Sequence, residues 1–485
     1  MKFIVKLFPE ITIKSRPVRK RFIQRLQSNL KIILHRIEPK IKVVHLWDRI
    51  DIHCPPQAHG FYDEIVTALG DTPGIAHVIQ VHQYPLENLE QVLDMVKNVW
   101  GQRLSGKRFV VRVKRSGEHD FTSGEMERYI GAGLLAQTQA LKVDLDTPEV
   151  RVSLEVKDDV VFVVERRING IGGYPQGSQE AAVSLISGGF DSIVATYLTM
   201  KRGAKTHFLF FNLGGAAHET GVKQVSYYLW KKFGSAARVK FISVPFEEVV
   251  GELLQTIHHS YQGVVLKRMM LRVGERVANK LKAEALITGE SIAQVSSQTL
   301  TNLGVIDRAT DKLVLRPLIT FDKQEIIDLA AKIGAYEFAV SMPEYCGVIS
   351  DRPSVRAQLK RVEADEQNFD FDVLEHALAR TVVSAIDTVA QGHDEQQVLC
   401  PNQQLAANDV VVDVRAVSEQ QKKPLNLPGV EIISVPFFKI NQQFEGFDQS
   451  RHYLLYCEKG VMSQLHALHI KDQGFENVGV YRPQY

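Results

Sequence analysis

"SLISGGFDSIVATYL" occupies Ser184–Leu198. A mostly apolar run enters Ser187-Gly188-Gly189-Phe190-Asp191-Ser192, and a helical pattern follows at once. A strand that passes through a glycine pair into a helix is a ligand-binding arrangement, because ligands sit beyond the carboxyl ends of parallel strands. Gly188 and Gly189 let the backbone approach an anion, and the helix start adds aligned N–H donors. Ser187 and Ser192 add hydroxyls, so phosphate is the expected guest. The Walker loop is excluded, since it needs a lysine and a longer span. Asp191 is out of place beside an anion unless Mg²⁺ accompanies it. The plain alternative is a glycine turn in which Asp191 caps the helix.

Outward from this loop, apolar runs alternate with helical periods over residues 180–335. Strands are expected at Ala182–Ile186, His207–Phe211, Val239–Val244, Ala285–Thr288 and Leu313–Leu315. That alternation predicts α/β architecture with a doubly wound parallel sheet. Helix is expected to continue to about Ala390, and 391–408 reads as a polar linker. In Pro317–Gly334, Asp322 and Glu325 form a capping-box start and Gly334 a stop. Lys323 then lies in the first turn, where a cation opposes the helix dipole by roughly 0.3–1 kcal/mol. A nearby anion would reverse that sign; an exposed lysine without a role is the alternative.

The residues before the sheet read as mixed α+β. Strand Phe3–Leu7, basic helix Val18–His35 and strand Lys42–Leu46 close at Cys54-Pro55-Pro56. Further strands are expected at Gly74–Val81, Phe109–Lys114, Val150–Val156 and Val160–Arg166, with a helix over Leu89–Trp100. Thr122 and Glu125 make a capping box that opens another helix. Gly170–Gly177 (GIGGYPQG) has Gly-x-Gly but no following helix, so it reads as a hinge rather than a dinucleotide site.

At 485 residues, several domains are expected,. Residues 1–50 hold 13 Lys or Arg against 3 Asp or Glu, a net +10, although the whole chain sums to +2. Such a basic end points to a polyanion, RNA or DNA first, with a solvated basic face as the alternative. No apolar run approaches the roughly 18 residues needed to span a bilayer, and the start lacks a signal-peptide pattern. A cytoplasmic protein with no membrane partner is expected.

The four cysteines, Cys54, Cys346, Cys400 and Cys457, are far apart and show no Cys-x-x-Cys, so no zinc cluster is indicated,. Cys457 ends a strand and opens Cys457-Glu458-Lys459-Gly460-Val461-Met462-Ser463 ahead of a helix. A thiol there faces backbone N–H groups, which favour thiolate; Lys459 helps and Glu458 opposes. A buried structural cysteine is the alternative. Cys346 stands in Met342-Pro343-Glu344-Tyr345-Cys346-Gly347, which reads as a loop. Cys54 and Cys400 match no motif.

Ser187–Ser192 resembles the PP-loop of the ATP pyrophosphatases, which split ATP between the α and β phosphates. From end to end the chain resembles the long, rhodanese-fused 4-thiouridine synthetases. The resemblance implies four domains: ferredoxin-like (1–60), THUMP RNA-binding (61–165, with RFVVRVKRSG and SGEMERYIG), PP-loop (178–390) and rhodanese (404–485). It implies that Cys457 carries a persulfide, that Cys346 is a second redox cysteine able to form a disulfide with it, and that Asp191 and Lys323 serve ATP turnover. Leu185, Ile186, Ser187, Gly188, Gly189, Ser192, Lys267, Gly289 and Gln298 match ATP-contacting positions. The implied cofactors are ATP and Mg²⁺, the metal arriving only with ATP. The implied partners are tRNA, a cysteine desulfurase, the sulfur-carrier protein of thiamine synthesis, and a thiol or protein reductant. The implied reaction is ATP-dependent sulfur transfer to tRNA uridine through an adenylated intermediate. Two alternatives are a lysidine-type PP-loop ligase, which leaves the Cys457 loop unused, and an RNA-binding scaffold, which an intact SGGFDS argues against.

Overall fold

The computed structural model describes residues 1–485 apart from positions 214, 341, 343–351, 390–404, 407, 416–419, 422, 437–438, 441–442, 458–462, 464–465, 468–469, 472 and 483–485. It divides into two compact units, residues 1–178 with 201–203, and residues 179–200 with 204–485.

The first unit is built from β1 (Lys2–Leu7), α1 (Arg16–His35), β2 (Lys42–His45), β3 (Arg49–His53), α2 (Tyr62–Gly70), β4 (Ile75–Pro85), α3 (Leu89–Trp100), β5 (Arg108–Ser116), α4 (Ser123–Gln137), β6 (Lys142–Val143), β7 (Val150–Lys157) and β8 (Val160–Gly172). Its strands form one sheet in the order β2-β3-β1-β4-β8-β7-β5-β6. Strand parity sorts its faces. Phe3 and Val5 pack with Phe22, Leu26 and Leu30 of α1, whereas Ile4 clusters on the other side with Ile79, Val81, Phe162 and Val164. Further along, Phe109, Val111 and Val152 pack with Val92 and Val96 of α3 and Met126, Ile130 and Leu134 of α4. Each such buried side chain contributes about 1.5–3 kcal/mol. Because β4 pairs with both β1 and β8, the sheet runs unbroken past residue 60.

The structure adds one strand and corrects one expectation. β3 was not visible in the sequence reading; Arg49 and Asp51 interrupt its apolar pattern, and both are buried because they pair with each other at 2.9 Å. The glycine-rich stretch 170–177 is not a free hinge. Tyr174 is buried against Phe22, with ring centroids 5.4 Å apart, and its hydroxyl donates to Glu10 at 2.7 Å.

The second unit opens with β9 (Gln179–Leu185), α5 (Phe190–Lys201), β10 (Ala204–Asn212), α6 (Gly215–Leu229), β11 (Lys240–Pro245), α7 (Gln262–Leu281), β12 (Ala285–Ile287), β13 (Leu313–Leu315), α8 (Lys323–Ile333) and β14 (Val382–Ala385). The sheet order is β13-β12-β9-β10-β11-β14. The first five strands are parallel, as the alternation predicts. The sixth corrects the reading of 382–385 as helix: β14 pairs antiparallel with β11. β-Branched Val382 and Val383 suit a strand, and the open edge of β11 supplies the partners.

The C-terminal residues form a four-stranded parallel sheet from β15 (Asp409–Asp413), β16 (Glu431–Ser434), β17 (His452–Tyr456) and β18 (Val478–Val480), ordered β16-β15-β17-β18. Val410, Val411 and Val412 are all fully buried, as a strand covered on both faces requires,. Among the described residues, no helix is long and apolar enough to cross a membrane.

Candidate active site

The glycine loop lies between the end of β9 and the start of α5, at the centre of the parallel sheet. Leu185 ends the strand, and buried Ile186 donates its N–H to Leu209 O across to β10. Gly188 takes φ +86°, a conformation that L side chains rarely adopt,. The Ser192 hydroxyl closes the loop: it accepts from Ser187 N and Ser187 Oγ at 3.2 Å and donates to Gly189 O at 3.0 Å. Around Gly189 there is open space, the nearest atom to a Cβ placed there being Ser187 Oγ at 3.8 Å. The loop is therefore held in shape by its own hydrogen bonds, with space beside Gly189.

Asp191 does not cap the helix. Its Oδ1 accepts from Lys323 Nζ at 2.8 Å and its Oδ2 from Gln294 Nε2 at 2.9 Å. Lys323 is the first residue of α8, with Asp322 N donating to Glu325 Oε2 at 2.9 Å and Gly334 ending the helix at φ +78°. The anion that offsets the unfavourable position of Lys323 is Asp191.

The segment after β12 presses on this loop. A Cβ at Gly289 would lie 2.5 Å from the carbonyl carbon of Asp191, so the close approach expected there is first of all to the loop backbone. Glu290 is buried and receives Lys267 Nζ and Arg316 Nε, each at 2.7 Å. Burial would raise its pKa, but the charges and hydrogen bonds of Lys267 and Arg316 outweigh that and hold it below the usual carboxylate range,. Gln298 is buried, its Oε1 accepting from Ser291 N. Lys267 and Gln298 are thus tied to the segment after β12 rather than lying free on the surface.

Three participants escaped the sequence reading. His218, at the start of α6, is buried and donates from Nε2 to Ser187 O at 3.0 Å; burial lowers its pKa despite that bond. Gln294 and Glu290 lie in a segment with no periodicity, and nothing local in the sequence sets them apart.

Cys457 follows β17 and is 8% exposed. Ser463 N donates to its Sγ at 3.4 Å, and Ser463 Oγ lies at the same distance. Three residues on, buried His466 meets Gln224 of α6 at 2.9 Å. His466 thus touches the same element that carries His218. Lys459, Gly460, Cys346 and Cys400 lie outside the described residues. Cys54 is buried, which pushes its thiol up to about 11 and leaves it unreactive,.

In the first unit a cleft of about 740 Å³ is lined by Lys6, Arg112, Lys114, Arg151, Arg166 and Arg167, with Asp48, Glu127 and Glu155 among them. On α1, Lys20, Arg21 and Arg25 are exposed, whereas Arg19 stacks on Trp47 at 4.0 Å.

A glycine loop at the head of a doubly wound sheet, followed by a thiol at the head of a smaller parallel sheet, is the arrangement that the relatives of this chain, which are sulfurtransferases, share in their names and domains. Family models match in chain order: the ThiI ferredoxin-like domain over 2–78, the THUMP domain over 87–164, Thiamine biosynthesis protein (ThiI) over 177–371, and the rhodanese-like domain over 401–483. The tRNA sulfurtransferases of Azotobacter vinelandii and Saccharophagus degradans are 51% and 49% identical over 483 residues, covering all of both chains. The chain belongs to the tRNA sulfurtransferase family. Among solved structures, a 4-thiouridine synthetase in complex with RNA and bound ATP is 28% identical, with TM-score 0.70 over 79% of this chain and 99% of that one. PH1313 from Pyrococcus horikoshii, 17% identical with TM-score 0.54 over 69% of this chain and all of its own, shares the fold.

Proposed function

We infer that this protein converts a uridine of tRNA to 4-thiouridine, using ATP to activate the base and a persulfide on Cys457 to supply sulfur. The observation that carries this reading is the Ser187–Ser192 cradle, whose one carboxylate is clamped by Lys323. A uracil carbonyl oxygen is a poor leaving group. Joined to the α-phosphate of ATP, it departs as AMP, and pyrophosphate remains at the loop N–H groups. Leu185 and Ile186 lie on the adenine side, and Ser187, Gly188, Gly189 and Ser192 hold phosphate. Lys323 neutralises charge that builds on the phosphates, with Lys267, Gly289 and Gln298 completing the wall.

Mg²⁺ arriving with ATP would be held by Asp191 together with the phosphates, and it would supply charge neutralisation. Asp191 and Lys323, paired in the structure, would part as the nucleotide enters.

In the second half-reaction the outer sulfur of the Cys457 persulfide attacks C4 and expels AMP. The Cys346 thiolate attacks the inner sulfur of Cys457. The thiocarbonyl leaves, a Cys346–Cys457 disulfide forms, and the two electrons are restored by a thiol or protein reductant. A cysteine desulfurase reloads Cys457. The same persulfide serves the adenylated sulfur-carrier protein for the thiamine thiazole. tRNA is held by the ferredoxin-like and THUMP segments, with the basic cleft taking phosphates, so binding weakens steeply with salt. Mass spectrometry of nucleosides from tRNA incubated with the protein, ATP, cysteine and a desulfurase tests the reading; 4-thiouridine is expected, and its absence with active desulfurase refutes it.

A further inference from the structure

Ala293 takes φ +61°, a left-handed conformation that costs a residue with a β-carbon roughly 1–2 kcal/mol,. The turn is held by Ala293 N donating to Gln298 O at 3.0 Å and Gln294 N to Ser291 O at 3.4 Å. It sits on a segment already pinned to the loop by Gly289, with no room for a side chain there. What this strained turn presents is the side chain of Gln294, whose Nε2 reaches Asp191 Oδ2 at 2.9 Å. The orientation of the amide is fixed by chemistry, because a carboxylate accepts only, so Gln294 turns its NH₂ toward it.

We propose that Gln294 is a positioning residue for adenylation, holding Asp191 in one orientation when Lys323 leaves it for the incoming phosphate. This rests on the reading of the loop as an ATP site. The two donors on Asp191 differ in kind. Lys323 is a cation on a flexible stem, and a triphosphate competes for it strongly. Gln294 is neutral, and the phosphate exerts no comparable pull. Once Lys323 moves, Gln294 is the side-chain donor that remains on Asp191 and keeps its carboxylate in one orientation beside the phosphates. The strain at Ala293 and the missing side chain at Gly289 are the local costs of delivering that one hydrogen bond.

The test uses the full-length protein with tRNA and ATP, following single-turnover pyrophosphate release, together with calorimetric binding of α,β-methylene-ATP and thermal melting. For Gln294→Ala the rate falls about tenfold, while the KM for ATP and the affinity for the analogue stay within about twofold. Gln294→Glu, which sets carboxylate against carboxylate, loses about a hundredfold. Because Gln294 is exposed, both variants melt like the parent. A raised KM with unchanged kcat would make Gln294 a direct ATP contact and overturn the proposal. So would a wild-type rate in both variants, or a melting loss that tracks the rate loss. Absence of pyrophosphate release from the parent protein would instead overturn the ATP-site reading beneath it.

Discussion

Asp191 and Lys323 stand 132 residues apart in sequence and meet at 2.8 Å. A first-turn helical lysine, unfavourable by itself, is placed by the fold against the one carboxylate of the glycine loop. The pair is part-exposed, with side-chain exposures of 44% for Lys323 and 25% for Asp191. It therefore adds well under about 1 kcal/mol to stability. Lys323→Ala should leave the unfolding midpoint nearly unchanged and reduce pyrophosphate release about 10²–10³-fold. Equal losses in stability and rate would make the pair structural.

Gly289 is a packing constraint on the same loop. Gly289→Ala forces a methyl group to within 2.5 Å of the Asp191 backbone, which something must relieve by moving. A loss of about 1–3 kcal/mol in denaturant unfolding is expected, with weakened binding of α,β-methylene-ATP. Unaltered nucleotide binding would show that the two segments need not touch.

Glu290 links Lys267 to Arg316 inside the wall of the site. Glu290→Gln takes the carboxylate from Lys267 while Arg316 keeps Asp307, and a loss of about 1–3 kcal/mol is expected at pH 7,. The sign of the pH dependence follows from the depressed pKa of Glu290. Its contribution is fully present above the unfolded value and disappears as pH falls through the lower folded one. The gap between parent and variant in urea unfolding should therefore narrow below about pH 4.5. A gap that persists in acid would mean the carboxylate's charge is not what stabilises.

Buried His207 accepts from Lys240 N at its Nδ1, and burial, aided by Lys205 and Lys240, pushes its pKa down to about 4. The folded state thus binds fewer protons than the unfolded one between about pH 6.5 and 4. Stability should fall by up to roughly 1.4 kcal/mol for each pH unit of acidification across that window. His207→Asn, which keeps an acceptor and cannot titrate, should flatten the slope in melts recorded from pH 7 to 4. An unchanged slope would assign acid sensitivity elsewhere.

Cys54 and Cys457 are both buried, yet of the two only the sulfur of Cys457 meets an N–H and a hydroxyl, those of Ser463. Limited iodoacetamide at pH 8, read by peptide mass spectrometry, should modify Cys457 and spare Cys54 until the protein is unfolded. Labelling in the reverse order would remove the basis for giving Cys457 the chemistry.

The sequence made the loop legible because its signal is local: strand, two glycines and helix fall within a dozen residues. The capping boxes at Thr122 and Asp322 were equally local, and the structure has both. What could not be read depends on contacts made at long range. β14 is a strand because β11 offers an open edge, and β3 survives two charges because they pair inside the sheet. Gln294 and His218 matter only through Asp191 and Ser187, which folding alone brings within reach.

The central claim is that breaking ATP makes oxygen leave and a thiol in the C-terminal sheet brings sulfur in. It is tested most directly by loading the purified protein with ³⁵S persulfide, removing free label, and adding tRNA with or without ATP. The account predicts that label leaves Cys457 and appears as 4-thiouridine only when ATP is present, and that Cys457→Ser protein never transfers it. Transfer without ATP, or thiolation by Cys457→Ser with no sulfide supplied, would contradict it.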